Sequence, residues 1–223
     1  MVQFGFYALT AIMLALVFYL FRYAESQKTL QKNAAILLLI WVSYVIIMTF
    51  TGILDNLSMP PKAPIFIIIP AFILVFIVSS RESFRSVIKN TPKHIPILIQ
   101  SFRIAVELLI YGAFIDGFFP QRVTFEGLNY DILMGIIALP MAFLVFRGIA
   151  KRKAILAFNI IGLMVLGLTG YAFVSSFYFS DFVLGSAEIA LVQVPFIFLP
   201  AVLLPFAVFY HVISIKQNLA SEK

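Results

Sequence analysis

Three polar side chains stand out in an otherwise apolar stretch: Gln100, Arg103 and Glu107. Spacings of three and seven residues place them on one face of an α-helix. A charged side chain near the centre of a membrane helix costs about 2.5 to 3.5 kcal/mol on insertion scales, and such residues usually face the bundle interior and mark functional sites. The pattern predicts an intramembrane site for an ion, a proton or a small ligand. The alternative is an ion pair between Arg103 and Glu107 that only stabilises the fold.

Two further polar residues, Asn159 and His211, fall in later apolar stretches at a depth similar to that of Gln100 and Arg103. Together these side chains could line a polar cavity that opens toward the cytoplasm. Interhelical hydrogen bonds that merely hold helices together are the alternative explanation for each of them.

Three carboxylates, Asp116, Glu126 and Asp131, occupy or flank the connection after this helix. Together they could bind a hard cation or serve a lipid-modifying enzyme on the outer side. Their spacing matches no calcium loop, and simpler roles are available. Asn129 would cap the next helix, and Asp131 would lie at the positive end of that helix.

Several chemistries are excluded or disfavoured. The chain contains no cysteine, which removes disulfides and sulfur-ligated metals. His94 and His211 are its two histidines and lie toward one side, so a haem chain across the membrane is not expected. The motifs of zinc proteases, serine hydrolases, P-loops and dinucleotide sites are absent. We therefore predict no catalytic residue, no metal and no cofactor, and the balance is against an enzyme.

Composition and length indicate an all-α polytopic membrane protein with one domain, residues 1–223. Hydrophobic residues make up 62% and charged residues 12% of the 223-residue chain, against about 25% charged residues in soluble domains. Continuous apolar runs favour helices over the alternating strands of a barrel. Seven runs are predicted as transmembrane helices, at residues 4–21, 34–54, 64–78, 95–119, 132–146, 154–177 and 189–215. Prolines recur in the third and seventh runs, but their spacings do not superimpose, so no internal repeat is predicted.

The distribution of basic residues predicts the orientation. Of the 16 lysines and arginines, 13 follow the first, third, fifth or seventh run. Lys62 and Arg122 follow the second and fourth runs, and Arg103 lies inside the fourth. By the positive-inside rule, the N-terminus is outside and the C-terminus is cytoplasmic. The 13 residues are Arg22, Lys28, Lys32, Arg81, Arg85, Lys89, Lys93, Arg147, Lys151, Arg152, Lys153, Lys216 and Lys223.

Partners are predicted from the same residues. Basic side chains at 81, 85, 89 and 93 would share one helical face and contact anionic lipid headgroups, with a protein partner as the alternative. Nucleic acid is not an expected partner, despite the net charge of +6, because the basic residues serve as anchors at helix ends. Whether the chain forms a homo-oligomer is left open.

The stretches 100–107 and 124–132, QSFRIAVE and TFEGLNYDI, resemble small uncharacterised bacterial multi-spanning membrane proteins. The resemblance covers about a seventh of the chain and carries no activity or assigned site. It implies a location in a bacterial cytoplasmic membrane.

The leading functional hypothesis is a small transporter, channel or ligand-binding membrane protein. Its site would contain Glu107 and Arg103, with Gln100, Asn159 and His211 as lining groups. A sensor or accessory subunit that binds a protein through the basic cytoplasmic loops is the main alternative. A lipid-modifying enzyme is the weaker one.

Overall fold

The structure is a computed structural model that describes residues 1–56, 59–179 and 190–219. Helix accounts for 81% of the described residues, which contain no strand. This confirms the expected all-α class. A helix satisfies every backbone N–H and C=O within its own segment, which a bilayer demands because it supplies no hydrogen-bonding solvent.

Nine α-helices follow one another along the described chain. They are α1 (Val2–Leu20), α2 (Gln27–Phe50), α3 (Ile69–Ser80), α4 (Glu82–Asn90), α5 (His94–Ile99), α6 (Phe102–Ile115), α7 (Asp131–Phe146), α8 (Arg152–Tyr178) and α9 (Leu204–Leu219). A π-helical turn, Pro64–Ile68, leads into α3, and a second one, Leu199–Leu203, leads into α9.

Among the described residues, five segments are long and apolar enough to cross a membrane: Val2–Tyr23, Gln27–Phe50, His94–Ile115, Arg152–Tyr178 and Leu199–Leu219. A sixth candidate is the pair formed by Pro64–Ser80 and α4, which meet at an angle of 77°. Helix α7 is apolar but has only 16 residues.

The largest differences from the predicted boundaries are at the starts of two helices. The second helix begins at Gln27 rather than at residue 34, because Lys28 and Lys32 are accommodated within an exposed first part of α2. The last helix begins at Leu199, whereas the predicted start at residue 189 lies outside the described residues. Prolines lack the backbone N–H that a helix needs, and Pro195 lies in the irregular segment before this helix.

The helices alternate in direction, so the breaks rich in basic residues meet at one end of the bundle. There, Asn90 donates a hydrogen bond to the carbonyl of Tyr23 (3.1 Å), and Gln217 donates to the carbonyl of Thr91 (2.7 Å). The rings of His94 and Phe146 also meet at this end, with centroids 5.1 Å apart. We call it the basic end.

Contacts at the opposite end join the other helix termini. A side chain added at Gly112 would approach Val2 to 3.1 Å, and the backbone N–H of Ala63 donates to the hydroxyl of Tyr178 at 3.2 Å. The first contact places the start of α1 beside the end of α6, and the second places Ala63, just before the first π-helical turn, beside the end of α8.

The segments before α3 and α9 share one construction. Each is a π-helical turn followed by an α-helix whose second residue is proline, Pro70 or Pro205. Each proline removes the donor that the carbonyl four residues earlier would otherwise receive. Helix α2 supplies a replacement in both cases: Tyr44 donates to the carbonyl of Phe66 (2.8 Å), and the indole of Trp41 donates to that of Ala201 (2.9 Å).

Candidate functional site

The connection between α6 and α7, residues 116–130, folds back into the bundle. Its side chains Phe119, Val123, Thr124 and Asn129 are buried. A tight turn makes this possible, since a Cβ at Gly127 would lie 2.6 Å from the backbone of Arg122. We call residues 116–130 the inserted segment.

The inserted segment makes α7 begin inside the bundle. Its first residue, Asp131, pairs with Arg103, which lies 12 residues and therefore about 18 Å of helix before Ile115, the last residue of α6. The sequence placed Asp131 in an outer connection at the positive end of the next helix, and the structure buries this first residue of α7 within the bundle. The carboxylate of Asp131 is buried because the inserted segment, which precedes it, folds into the bundle.

Arg103 and Asp131 form a buried, forked ion pair. The guanidinium donates from Nε to Oδ2 at 2.7 Å and from Nη2 to Oδ1, and both residues are at most 4% exposed. Two parallel N–H···O bonds match the planar guanidinium to the carboxylate better than a single contact does. Within the described part of the chain, Arg103 makes no ion pair with Glu107, contrary to the alternative inferred from their spacing.

A hydrogen-bond chain continues from Arg103 toward the basic end. Nη1 of Arg103 is 3.2 Å from Nε2 of His211, and Nδ1 of His211 is 2.8 Å from Oδ1 of Asn159. Arginine can only donate, so Nε2 must accept and Nδ1 must carry the ring proton. Asn159 in turn donates to the carbonyl of Ile155 (2.7 Å) and to the hydroxyl of Ser214 (2.9 Å). Every one of these donors and acceptors therefore has a defined role.

Glycines allow the helices that carry this chain to approach closely. A Cβ at Gly162 in α8 would lie 2.4 Å from Cε1 of His211. A Cβ at Gly135 in α7 would lie 2.9 Å from the backbone nitrogen of Ile104. Small residues at such crossings are typical of membrane helix packing, since they let polar side chains meet across an interface.

Glu107 has a different environment. Its two carboxylate oxygens accept from one amide nitrogen, Nδ2 of Asn129, at 2.8 and 2.9 Å. The same nitrogen also donates to the carbonyl of Val123 at 3.0 Å. The side chain is fully buried, and no cation of the described residues lies within ion-pair distance of it.

Asn129 joins the two carboxylates. Its Oδ1 accepts from the backbone N–H of Asp131 at 3.1 Å and from the hydroxyl of Thr169 at 2.7 Å. Asn129 thus satisfies a backbone donor at the start of α7, as its expected capping role requires, although the N-cap residue is Tyr130. The structure also gives Asn129 a second role that the sequence did not indicate, as the hydrogen-bond donor to Glu107.

An open-sided cleft lies against these residues, with about 720 Å³ of space that includes space continuous with the surroundings. The π-helical turns contribute Pro64, Leu199 and Pro200 to its walls, and Arg103, Glu107, Asp131, Thr169 and Tyr178 are its polar and charged lining residues. The other lining residues are apolar or glycine, and include Phe102, Val106, Ile110, Leu166, Gly170, Phe173, Leu203 and Ala207. We call this space the Glu107 cleft.

The location of the Glu107 cleft differs from the predicted cavity. Residues from the end opposite the basic end, such as Ala63 and Tyr178, line it, whereas Gln100, Asn159 and His211 do not. Its walls are mainly apolar rather than polar. Gln100 is buried apart from it, where its amide nitrogen donates to the carbonyl of Ala207 at 2.9 Å.

A second open-sided cleft lies between α1, α2, α3 and α9. None of the described residues that line it is charged. Trp41 lies in its wall with the indole N–H already bonded. This cleft has no polar group to orient a ligand, so the Glu107 cleft is the candidate site.

The three predicted outer carboxylates do not form one site. Asp116 and Glu126 are exposed, while Asp131 is buried against Arg103. The described residues contain no group of three histidine, aspartate or glutamate side chains placed to hold a metal ion. Glu126 instead accepts from Gln121 at 3.2 Å.

One signal in the sequence could have located Asp131 and Asn129. The predicted fifth run had 15 residues, whereas a crossing of the hydrocarbon core takes roughly 20. A run that short indicates a helix that begins inside the bundle. The polar residues just before it, Asn129 and Asp131, would then also lie inside the bundle. No local pattern distinguishes Thr169 or Ser214 from ordinary helix residues.

No protein-family model, no curated protein and no solved structure matches the chain.

Proposed function

We propose that the chain crosses a cell membrane seven times, with its N-terminus outside and its C-terminus in the cytoplasm. Five helices are candidate spans by length and apolar composition. Pro64–Ser80 would be the third span, and α7 with the inserted segment would complete the fifth. The connections rich in basic residues lie together at one end of the bundle. By the positive-inside rule, this supports a cytoplasmic location for the basic end.

The chain's lack of cysteine gives a clean test of this topology. Single cysteines would replace Lys28 at the basic end and Asp116 at the opposite end, since both side chains are exposed. In intact cells, an impermeant maleimide should label the variant at 116 and not the variant at 28, with both labelled after permeabilisation. The reverse pattern would invert the orientation, and labelling of both in intact cells would contradict the span count.

We further propose that the protein binds a small molecule in the Glu107 cleft and belongs functionally with transporters. The observation that carries this proposal is an apolar cleft with a buried carboxylate in its wall that forms no ion pair with any described residue. Mostly apolar walls with a few polar groups are typical of small-molecule sites. Both π-helical turns line the cleft. Irregular helices at a binding site are typical of transporters.

Two glycines of α8 provide a matched test of ligand binding. Gly170 lines the cleft, while Gly167 is exposed elsewhere on the helix, and a Cβ at either would meet no atom within 4 Å. Gly170→Leu should fill the cleft, whereas Gly167→Leu adds the same side chain outside it. Native mass spectrometry of gently extracted protein should show a stoichiometric small molecule on the wild type and on Gly167→Leu, and none on Gly170→Leu. Equal occupancy of all three proteins would contradict binding in this cleft.

Anionic lipid headgroups are the proposed partners at the basic end. Helix α4 buries Phe84, Val87 and Ile88 and turns the exposed Arg85 and Lys89 away from the bundle. An amphipathic helix of this kind lies in the membrane interface with its basic side chains near phosphates. Retention of anionic lipid should decrease in an Arg85→Gln, Lys89→Gln double variant. An unchanged lipid complement together with loss of a co-purifying protein would favour the sensor or accessory-subunit function instead.

A further inference from the structure

The geometry points to a lipophilic cation as the ligand of the Glu107 cleft, bound in exchange for a proton on Glu107. This inference depends on the proposed binding function and names the chemical class of the ligand. It follows from charge balance, hydrogen-bonding capacity and the shape of the cleft.

Charge balance leaves one negative charge without a partner. Beside the cleft, the carboxylate of Asp131 compensates the positive charge of the Arg103 guanidinium through the forked contact. His211 lies behind Arg103 as a neutral hydrogen-bond acceptor, so it adds no positive charge. An ionised carboxylate of Glu107 would therefore be uncompensated in a buried site, and such a group takes up a proton or a cationic partner.

The groups that face Glu107 come from each element around the cleft. On its own helix the neighbouring charge is Arg103, on α7 it is Asp131, and on α8 the titratable group is Tyr178. The hydroxyl of Tyr178 already accepts from the backbone of Ala63. Among the described lining residues, none of these groups supplies a free positive charge to Glu107.

Hydrogen-bonding capacity leads to the same conclusion. One N–H of Asn129 is shared by both carboxylate oxygens, and the other hydrogen of this amide serves Val123. An ionised carboxylate can accept about four hydrogen bonds. Glu107 therefore has accepting capacity left for an ammonium or another cationic group, which reaches this fully buried carboxylate only if the wall of the cleft opens.

The rest of the cleft suits an apolar body. Phe102 and Phe173 line it together with aliphatic side chains of α6, α8 and the turn before α9. Aromatic faces attract cations as well as apolar groups, and a desolvated cation benefits most from them. A small hydrated metal ion would lose its water in such a site without gaining enough oxygen ligands.

The exchange step balances in charge and atoms. Protonated Glu107 and a cation of charge +1 give an ionised Glu107 paired with the cation, and one proton leaves to the solution. No covalent bond to the ligand forms or breaks. The site is therefore neutral both with a proton on Glu107 and with the cation bound. A neutral site has the lowest free-energy cost in a bilayer.

Tetraphenylphosphonium and tetraphenylborate provide the probes, because they are alike in shape and opposite in charge. Calorimetry on the detergent-solubilised chain, in two buffers of different ionisation enthalpy, gives the affinity and the number of protons released. We expect binding of tetraphenylphosphonium with release of up to one proton, and no binding of tetraphenylborate. As the pH falls, the apparent affinity should decrease, by up to about tenfold per pH unit once the proton competes fully.

Glu107→Gln should weaken tetraphenylphosphonium binding by about 30-fold or more, since it removes one partner of a buried charge pair, and should abolish proton release. Asp116→Asn, which neutralises an exposed carboxylate, is the control and should bind like the wild type. Glu107→Asp keeps the charge and should retain proton release. If Glu107→Gln fails to fold, the Glu107→Asp variant still tests the role of the carboxylate.

Three results would overturn the inference: no binding of tetraphenylphosphonium to the wild type, equal binding of both probes, or unchanged binding to folded Glu107→Gln. Binding of tetraphenylborate that Gly170→Leu removes and Glu107→Gln leaves intact would refute the cationic ligand and keep the proposed cleft. Binding of either probe that none of these variants alters would place it outside the cleft. If the wild type also carries no small molecule on extraction, the proposed function itself fails.

Discussion

Asp131 and Glu107 are two buried carboxylates of one bundle, and their partners differ. Asp131 receives a forked guanidinium from Arg103, and the hydrogen-bond chain continues from there to His211. Glu107 receives a single amide from Asn129 and borders the Glu107 cleft. The fold therefore uses its buried arginine to hold helices together and leaves the second carboxylate without a cation.

This difference separates structure from function. A buried pair with complete hydrogen bonding stabilises one arrangement of α6, α7 and α9, because removing either partner leaves a charge uncompensated. A buried carboxylate without a cation contributes little to the fold. Its presence in a cleft is better explained by a ligand or a proton.

The largest expected effect is that of Asp131→Asn. The change leaves the buried guanidinium of Arg103 without a counter-ion, and breaking buried pairs in this way costs about 3 to 5 kcal/mol. We expect a large decrease in thermal stability of the solubilised protein, followed by fluorescence of Trp41 or by circular dichroism. A variant as stable as the wild type would mean that the ion pair does not hold the bundle together.

Gly162→Ala should have the next largest effect. The added methyl group would lie 2.4 Å from Cε1 of His211, and overpacking of this kind costs about 1 to 3 kcal/mol. Gly167→Ala is the matched control, since its methyl group meets no atom within 4 Å and a helical alanine is stabilising relative to glycine. Equal melting temperatures for the two variants would show that α8 and α9 do not approach as closely as described.

Thr169→Val should have a smaller effect. It removes the hydroxyl that donates to Oδ1 of Asn129, and the expected cost is about 0.5 to 1.5 kcal/mol. Thr169→Ser retains the hydroxyl and should behave like the wild type. A Thr169→Ser variant as unstable as Thr169→Val would assign the effect to the lost methyl group rather than to the hydrogen bond.

Glu107→Gln should have the smallest effect on stability, less than about 1 kcal/mol in either direction. The side chain gives up no ion pair, and the new amide retains an oxygen that can accept from Asn129. The same thermal measurement compares it with Asp131→Asn. Similar losses in both variants would make Glu107 a structural residue and remove the difference between the two carboxylates.

The sequence predicted much of the fold and a part of the site. Apolar runs located most helices, and the cost of intramembrane polar groups pointed to Arg103, Glu107, His211 and Asn159, all of which are buried. The spacing of Arg103 and Glu107 suggested a local ion pair. The structure pairs Arg103 with Asp131 instead, because the inserted segment carries a carboxylate to it from 28 residues away.

Other features depend on tertiary contacts that no pattern in the sequence indicates. Trp41 and Tyr44 donate hydrogen bonds to carbonyls that lie four residues before Pro205 and Pro70, and 160 and 22 residues away from the donors. Proline spacings in the third and seventh runs do not superimpose, yet both runs fold into a π-helical turn followed by a proline at the second position of an α-helix. The shared feature is conformational rather than a repeated motif.

Infrared difference spectroscopy tests the central claim most directly. The spectrum of the wild type minus that of Glu107→Gln, at neutral pH without a ligand, should contain the carbonyl band of one protonated carboxylic acid. Adding tetraphenylphosphonium should convert that band into the bands of a carboxylate. An ionised Glu107 in the empty protein, or a protonated band that the cation leaves unchanged, would contradict the account.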